Sequence, residues 1–378
     1  MKVMIVVTHL LGTGHLRRAL VLAGGFAEAG HEVLLASGGL PLDLALPAHT
    51  RMLQLPPLRS DGINFTRLLD EAGQPADEAL LCRRRRLLCN GVTSFNPDIL
   101  INELFPFGRR VLGDEFTALL DAAHALSPRP VILSSIRDIL APPSKPAKAD
   151  LTEQIVTTRF DSVLVHSDPH ATTLDQSWPV SAALKPRLRY TGYVAAPPPA
   201  PHPDGTGTGE VLLSTGGGTV GTHLFETAIA TAQMMPAIRW RLLVAGDAAR
   251  LDRLRVLARG LPIIVDPVRP DFRNMLACAT ASVSLCGYNT AMDVLQTRIP
   301  AVFVPFDDGK EVEQSLRAAS LARLPGITTL TSRDLTPETL RIALEQVLSA
   351  PKRDGALLRF DGAAQSVAIA TGMARARA

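Results

Sequence analysis

The chain has 378 residues, 46% of them apolar and 20% charged, with 39 Lys and Arg against 36 Asp and Glu for a formal net charge of +3. That length suggests two domains, each able to bury its own core, and the composition excludes a disordered or fibrous chain. The near-neutral balance and the 4% aromatic content argue against nucleic acid as a partner.

The opening MKVMIVVTHLLGTGH has one lysine and a polar Thr-His-Gly interruption, so it predicts a strand and loop rather than a signal peptide, and a cytoplasmic protein. No apolar run approaches the roughly 18–20 residues that span a bilayer. Short, continuously apolar runs follow at 2–8, 32–37, 98–103, 130–135, 162–167 and 188–194. Cys82, Cys89, Cys278 and Cys286 lack zinc-like spacing and are expected as buried small hydrophobes. The run Arg83–Arg86 falls in a predicted helix and fans around it, which favours a solvated surface over a phosphate clamp. Residues 195–209, AAPPPAPHPDGTGTG, break the composition and predict a linker, stiff at its prolines and looser at its glycines. Beyond it the apolar runs resume at 210–215, 239–245, 262–266, 282–286 and 301–306. Runs of this kind alternating with amphipathic stretches predict α/β architecture, with two doubly wound parallel sheets. The expected domains are 1–194 and 210–378, with a last helix near 357–373 able to pack on either.

Ligands in such sheets sit at the carboxyl ends of the strands, so the loops there carry the candidate residues. In the first loop, Gly12 and Gly14 permit a tight turn into a helix, and His15 stands at its mouth as a general base or a structural cap. Arg17 takes the third glycine position of a dinucleotide fingerprint, which therefore fails. After the linker, Ser214-Thr215-Gly216-Gly217-Gly218-Thr219 suits a phosphate cradle of backbone N–H groups. Gly216, Gly218 and Gly221 also satisfy GxGxxG, with Asp247 closing the next strand, so a nicotinamide cofactor competes. Gly287-Tyr288-Asn289-Thr290 opens another helix toward an anion, and Asp293 lies one turn on, where a carboxylate can hold a ribose diol. The alternative is a capped helix, with Asn289 as the cap and Asp293 answering the dipole. Glu313 and Gln314 begin a further helix. The chain has no D-x-D triplet for a sugar-nucleotide metal, no GxxxxGK[ST] and no GxSxG, and no metal is expected.

Taken together, GTGH, the GGG turn, SLCGYNTAMDVL, IPAVFVPF and EVEQSLRA resemble the GT-B glycosyltransferases. They are most similar to the family 28 branch that contains the lipid II-forming N-acetylglucosaminyltransferase. NELFPFGRR at 102–110, SSIRDIL at 134–140, VHSDP at 165–169 and YTGYV at 190–194 are similar to a bacterial family of predicted glycosyltransferases in that branch. The resemblance implies two Rossmann-like domains facing across a cleft, the first for an acceptor and the second for a nucleotide-sugar. It places Val268 and Arg269 beside a uracil base, Asp293 on the ribose, and Gly216, Gly217, Gly218 and Thr219 with Gly287, Tyr288, Asn289 and Thr290 on the phosphates. Glu313 and Gln314 stand where the branch has two glutamines that read the donor sugar, and Asp293 where it has a glutamate. His15 matches the histidine near the reacting centre, and Gly14, Glu103, Arg137 and Asp138 fall on the acceptor side. The implied activity is inverting, metal-independent transfer from a nucleotide-sugar, UDP-linked, to a hydroxyl on a small-molecule, glycan or lipid-linked acceptor. No separate cofactor is implied, and peripheral attachment at the inner membrane face is compatible with it. The stretch GTGHLRRAL is also similar to a UDP-sugar hydrolase of pseudaminic acid biosynthesis. Hydrolase or epimerase chemistry on the same scaffold therefore stays open, as does a nucleotide-binding protein without catalysis.

Overall fold

The continuously apolar runs form the central strands of two all-parallel sheets, covered on both faces by helices, as strands without a polar face require. The structure, a computed structural model, describes residues 1–10, 12–60, 67–216, 220–308, 311–354 and 358–377. It divides into a first unit of Met1–Pro169, Thr173–Ala195 and Arg359–Ala378 and a second of His170–Thr172 and Ala196–Leu358.

In chain order the first unit contains β1 (Lys2–Val7), α1 (Gly14–Glu28), β2 (Glu32–Ser37), β3 (Thr50–Gln54), α2 (Glu78–Phe95), β4 (Ile99–Glu103), α3 (Gly113–His124), β5 (Val131–Arg137), α4 (Pro146–Arg159), β6 (Ser162–His166) and β7 (Leu188–Tyr190). The second contains β8 (Glu210–Ser214), α5 (Thr222–Met234), β9 (Arg239–Val244), α6 (Ala248–Leu257), β10 (Ile263–Pro267), α7 (Phe272–Cys278), β11 (Ala281–Ser284), α8 (Tyr288–Thr297), β12 (Ala301–Phe303), α9 (Glu313–Leu321), β13 (Ile327–Thr329) and α10 (Pro337–Ser349). The chain then returns to the first unit as α11 (Gly362–Arg377).

The strand orders are β3-β2-β1-β4-β5-β6-β7 and β10-β9-β8-β11-β12-β13. In each, connections run outward to both sides of one central pair, β1/β4 and β8/β11. In doubly wound sheets this reversal of strand order is where the loops diverge and ligands bind. Val6 pairs with Asn102 in the first unit and Ser214 with Ser284 in the second, so the strands of each pair end level beneath their loops. Leu16, Ala19, Leu22, Ala23 and Phe26 make the buried stripe of α1, three to four residues apart, which fixes the helix over β1. α11 packs along α1 with Val367 and Ala370 buried, and Gly25 of α1 leaves room for Ala363.

Several expectations differ from what forms. β3 and β13 lay outside the apolar runs, because the first is a half-buried edge strand and the second has three residues. Residues 196–209 group with the second unit rather than hanging as a free linker. Arg273 donates to Pro197 O at 2.9 Å, Asn274 to Ala200 O at 2.8 Å, and Gln296 to Ala196 O at 2.9 Å. His202 is buried against Asp271. The carbonyls of a proline-rich segment still accept hydrogen bonds, and three side chains donate to them. Of the cysteines expected inside, Cys286 is buried and Cys82 exposed, with Cys89 and Cys278 between.

Arg84 corrects the reading of Arg83–Arg86 as a solvated face. It is wholly buried and bidentate to Glu115 at 2.9 Å, and its remaining nitrogen donates to Gly38 O and Pro56 O. One guanidinium thus joins α2, α3 and the loops that follow β2 and β3. Removing it alone leaves a buried carboxylate uncompensated, so Arg84→Ala is expected to cost about 3–5 kcal/mol in denaturant unfolding. Replacing the pair together, Arg84→Met with Glu115→Leu, is expected to cost less. A double variant less stable than Arg84→Ala contradicts this.

Candidate functional site

In the first unit the loop after β1 and the end of β4 bring together two side chains far apart in sequence. His15 lies in the first turn of α1 and Glu103 closes β4, with Nδ1 and Oε1 2.7 Å apart. A carboxylate only accepts, so Nδ1 carries the proton and Nε2 the lone pair. Arg18, one turn along α1, donates to the same Oε1. The side chains are 12% exposed for His15 and 3% for Glu103 and Arg18. Burial lowers the His15 pKa to about 4 against the pull of Glu103, and the charges of Arg109 and Arg137 add to the lowering. Burial pushes the Glu103 carboxyl up, but His15, Arg18 and Arg109 more than offset this and hold it below the usual carboxylate range. The result is a neutral imidazole oriented by an ionised carboxylate, the arrangement of a general base with its orienting partner.

The neighbouring strand ends are polar and buried. Arg109 donates through Nε to Thr8 O at 2.7 Å, which ties the segment after β4 to the loop after β1. Arg137 closes β5 and Asp138 is fully buried behind it. Gly14 opens α1. His166, at the end of β6, bonds Ser135 Oγ at 2.7 Å and Thr191 Oγ1 at 3.0 Å, and burial lowers its pKa to about 3. It joins three adjacent strand ends and is a structural neutral histidine.

In the second unit Gly217, Gly218 and Thr219 lie outside the described residues. Before them, Gly216 has φ 78° and its N–H donates to Ser214 Oγ at 3.1 Å. After them, Gly221 caps α5 at φ 79°, and a Cβ there would stand 2.6 Å from Thr215 Cγ2. Only glycine fits that position. Asp247, the acidic residue a nicotinamide reading needs, is instead the cap of α6 and accepts from Arg250 N at 2.9 Å.

The loop after β11 is held from two sides by α9. Gln314 Oε1 accepts from Cys286 N at 3.0 Å and Phe306 N at 3.2 Å, and buried Arg317 donates to Cys286 O at 3.2 Å with its guanidinium 5.7 Å from the Tyr288 ring centre. This fixes the start of α8, where Gly287 is the cap residue and Asn289 and Thr290 occupy the first turn. Asn289 is therefore inside the helix and is not its cap. Glu311, which the sequence did not single out, accepts from the backbone N–H of Glu313 at 2.7 Å and of Gln314 at 3.2 Å, capping α9. Asp293 accepts from Arg273 Nε at 2.7 Å. Val268 is exposed after β10, and Arg269 pairs with Asp271 through two bonds of 2.9 and 2.6 Å. Among the described residues no group of three or more His, Cys, Asp and Glu side chains could hold a metal ion, and no helix is long and apolar enough to cross a membrane.

Arg18, Arg273 and Arg317 were missed. Arg18 alone had a local signal, being three residues from His15 on the same helical face.

Both units have the reversing strand order of doubly wound folds, and solved structures match over nearly the whole chain. MurG of Acinetobacter baumannii superposes with TM-score 0.60 at 15% identity, covering 99% of this chain and 98% of that one. The calicheamicin glycosyltransferase CalG4 superposes with TM-score 0.60 at 17% identity, with the same coverage. The chain has the GT-B fold. Residues 217–365, most of the second unit and the start of α11, match the family model of the glycosyltransferase family 28 C-terminal domain. A Brucella anthropi protein is 31% identical over 143 residues, 36% of this chain and 38% of its own length. Its name is UDP-N-acetylglucosamine--N-acetylmuramyl-(pentapeptide) pyrophosphoryl-undecaprenol N-acetylglucosamine transferase. A Rhizobium meliloti protein of the same name is 28% identical over 157 residues, 40% of this chain and 42% of its own. The matched segments thus span well under half of these relatives.

The buried imidazoles set a pH dependence. The unfolded chain binds protons on His15 and His166 near the ordinary 6.5, whereas the folded values are about 4 and about 3. The unfolded state then holds more protons, so this contribution to stability is complete above about pH 6.5 and is lost as pH falls toward 4. Nitrogen-15 NMR of the imidazoles is expected to find both rings neutral at pH 5.5. Titration of either near 6.5 contradicts the geometry.

Proposed function

We propose that this protein is an inverting, metal-independent glycosyltransferase that moves a sugar from a UDP-linked donor to a hydroxyl of its acceptor. The observation that carries the reading is the His15–Glu103 dyad where the loop after β1 meets the end of β4, on a chain whose residues 217–365 match the family 28 domain. His15 Nε2 takes the proton of the acceptor hydroxyl as its oxygen attacks the anomeric carbon, and the bond from that carbon to the diphosphate breaks. A single displacement inverts the anomeric configuration. Glu103 keeps Nδ1 protonated and stabilises the imidazolium that forms. The departing diphosphate is met by the first turn of α8, with Gly287, Tyr288, Asn289 and Thr290, and by backbone N–H groups of Gly216, Gly217, Gly218 and Thr219. Asp293 holds the ribose, Val268 and Arg269 flank the base, and Glu313 and Gln314 face the donor sugar. Gly14, Arg137 and Asp138 line the acceptor side. No cofactor beyond the nucleotide-sugar takes part.

The names of the relatives state a lipid-linked acceptor, and a lipid-linked acceptor here would place the protein at the inner membrane face as a peripheral enzyme. The near-zero net charge supports local neutralisation of the diphosphate rather than a broad basic surface.

Calorimetric titration with UDP, TDP, GDP, NAD and NADP tests the reading. UDP is expected to bind, and Asp293→Ala to weaken it about 10-fold or more, the loss of charge-assisted hydrogen bonds. Binding of NAD with indifference to every nucleoside diphosphate overturns the proposal. So does rapid release of free sugar from a UDP-sugar with no acceptor present, which is the outcome of hydrolysis.

A further inference from the structure

The Asp293 side chain is 15% exposed and its Oδ1 is taken by Arg273 Nε at 2.7 Å. Among the described residues its Oδ2 takes no hydrogen bond. Arg273 Nη2 is held in turn by Gln296 Oε1 at 2.9 Å and Pro197 O at 2.9 Å, and Gln296 Nε2 donates to Ala196 O at 2.9 Å. Asp293 and Gln296 are one turn apart on α8, so they cradle a guanidinium that comes from α7, twenty residues earlier. A planar fork bound at both Nε and Nη2 has little freedom to rotate, and neither has the carboxylate it grips.

We propose that Arg273 is a positioning residue for nucleotide recognition: by taking Oδ1 it fixes the Asp293 carboxylate in one orientation and leaves Oδ2 to accept the ribose hydroxyls. This rests on the nucleotide-sugar reading above. Aspartate is a short side chain, and a carboxylate free to turn would spend part of its time facing away from the diol. Burial pushes the Asp293 carboxyl up, and Arg273 opposes that, which favours the ionised form that hydroxyl donors need. The carbonyls of residues 196–197 complete the cradle, which gives the proline-rich segment a role beyond connection.

The test compares UDP with 2′,3′-dideoxy-UDP by calorimetry for wild type, Arg273→Gln and Arg273→Lys. Wild type is expected to prefer UDP by about 10- to 100-fold, the range for hydrogen bonds to a charged group. Arg273→Gln is expected to bring the preference within about threefold while dideoxy-UDP affinity stays near wild type. Arg273→Lys, which keeps the charge but loses the fork, is expected to fall between. A purely structural arginine would weaken both ligands alike and keep their ratio. If wild type discriminates and Arg273→Gln discriminates equally, the inference fails and the nucleotide reading stands. Equal binding of the two ligands by wild type also overturns it. If wild type binds no nucleoside diphosphate, the functional reading itself fails. Should Arg273→Gln not fold, Arg273→Lys decides, and an unchanged preference in it overturns the inference.

Discussion

The hydrogen bond between His15 and Glu103 is the constraint around which the first unit is arranged. A carboxylate this deeply buried is costly unless it is paired and hydrogen-bonded, and the protein pairs it twice through one oxygen, with the imidazole and with Arg18. To bring these groups together, β1 and β4 must lie side by side, α1 must begin directly after the glycine turn, and the α1 stripe must face the sheet. Arg109 then ties the segment after β4 back to the loop after β1. Burial that would be a liability for an isolated acid here keeps the imidazole neutral and its tautomer defined.

The second unit applies a different economy. Among its described residues, arginines near its loops are engaged, Arg317 with Cys286 O, Arg269 with Asp271 and Arg273 with Asp293. What it offers is ordered backbone at helix starts, held in place by side chains from elsewhere. Gln314 illustrates this, since one amide oxygen fixes both the loop after β11 and the loop after β12. Its oxygen is thus committed to structure.

Much of this was legible in the sequence, and the divide is physical. Strands covered on both faces announce themselves as continuous apolar runs, so the central strands of both sheets could be read, and with them the loops that matter. Edge strand β3, half exposed, and three-residue β13 carry no such signal. His15 was conspicuous because a titratable ring follows a glycine turn, and Glu103 because it closes an apolar run. Arg84, Arg273 and Arg317 were not, because each acts through a partner 20 or more residues away in sequence. The composition of 195–209 marks a break in the sequence, but it could not show that Arg273, Asn274 and Gln296 would fasten its carbonyls to the second unit.

The central claim is that His15 is the base of a sugar transfer whose donor is bound elsewhere in the chain. The most direct measurement follows UDP release and glycosylated product from a panel of labelled UDP-sugars with a cell extract as acceptor source, for wild type and His15→Ala, alongside UDP affinity. The account predicts product from wild type, with turnover in His15→Ala lower by about 10²- to 10⁴-fold and UDP affinity unchanged. Undiminished turnover in His15→Ala would contradict it.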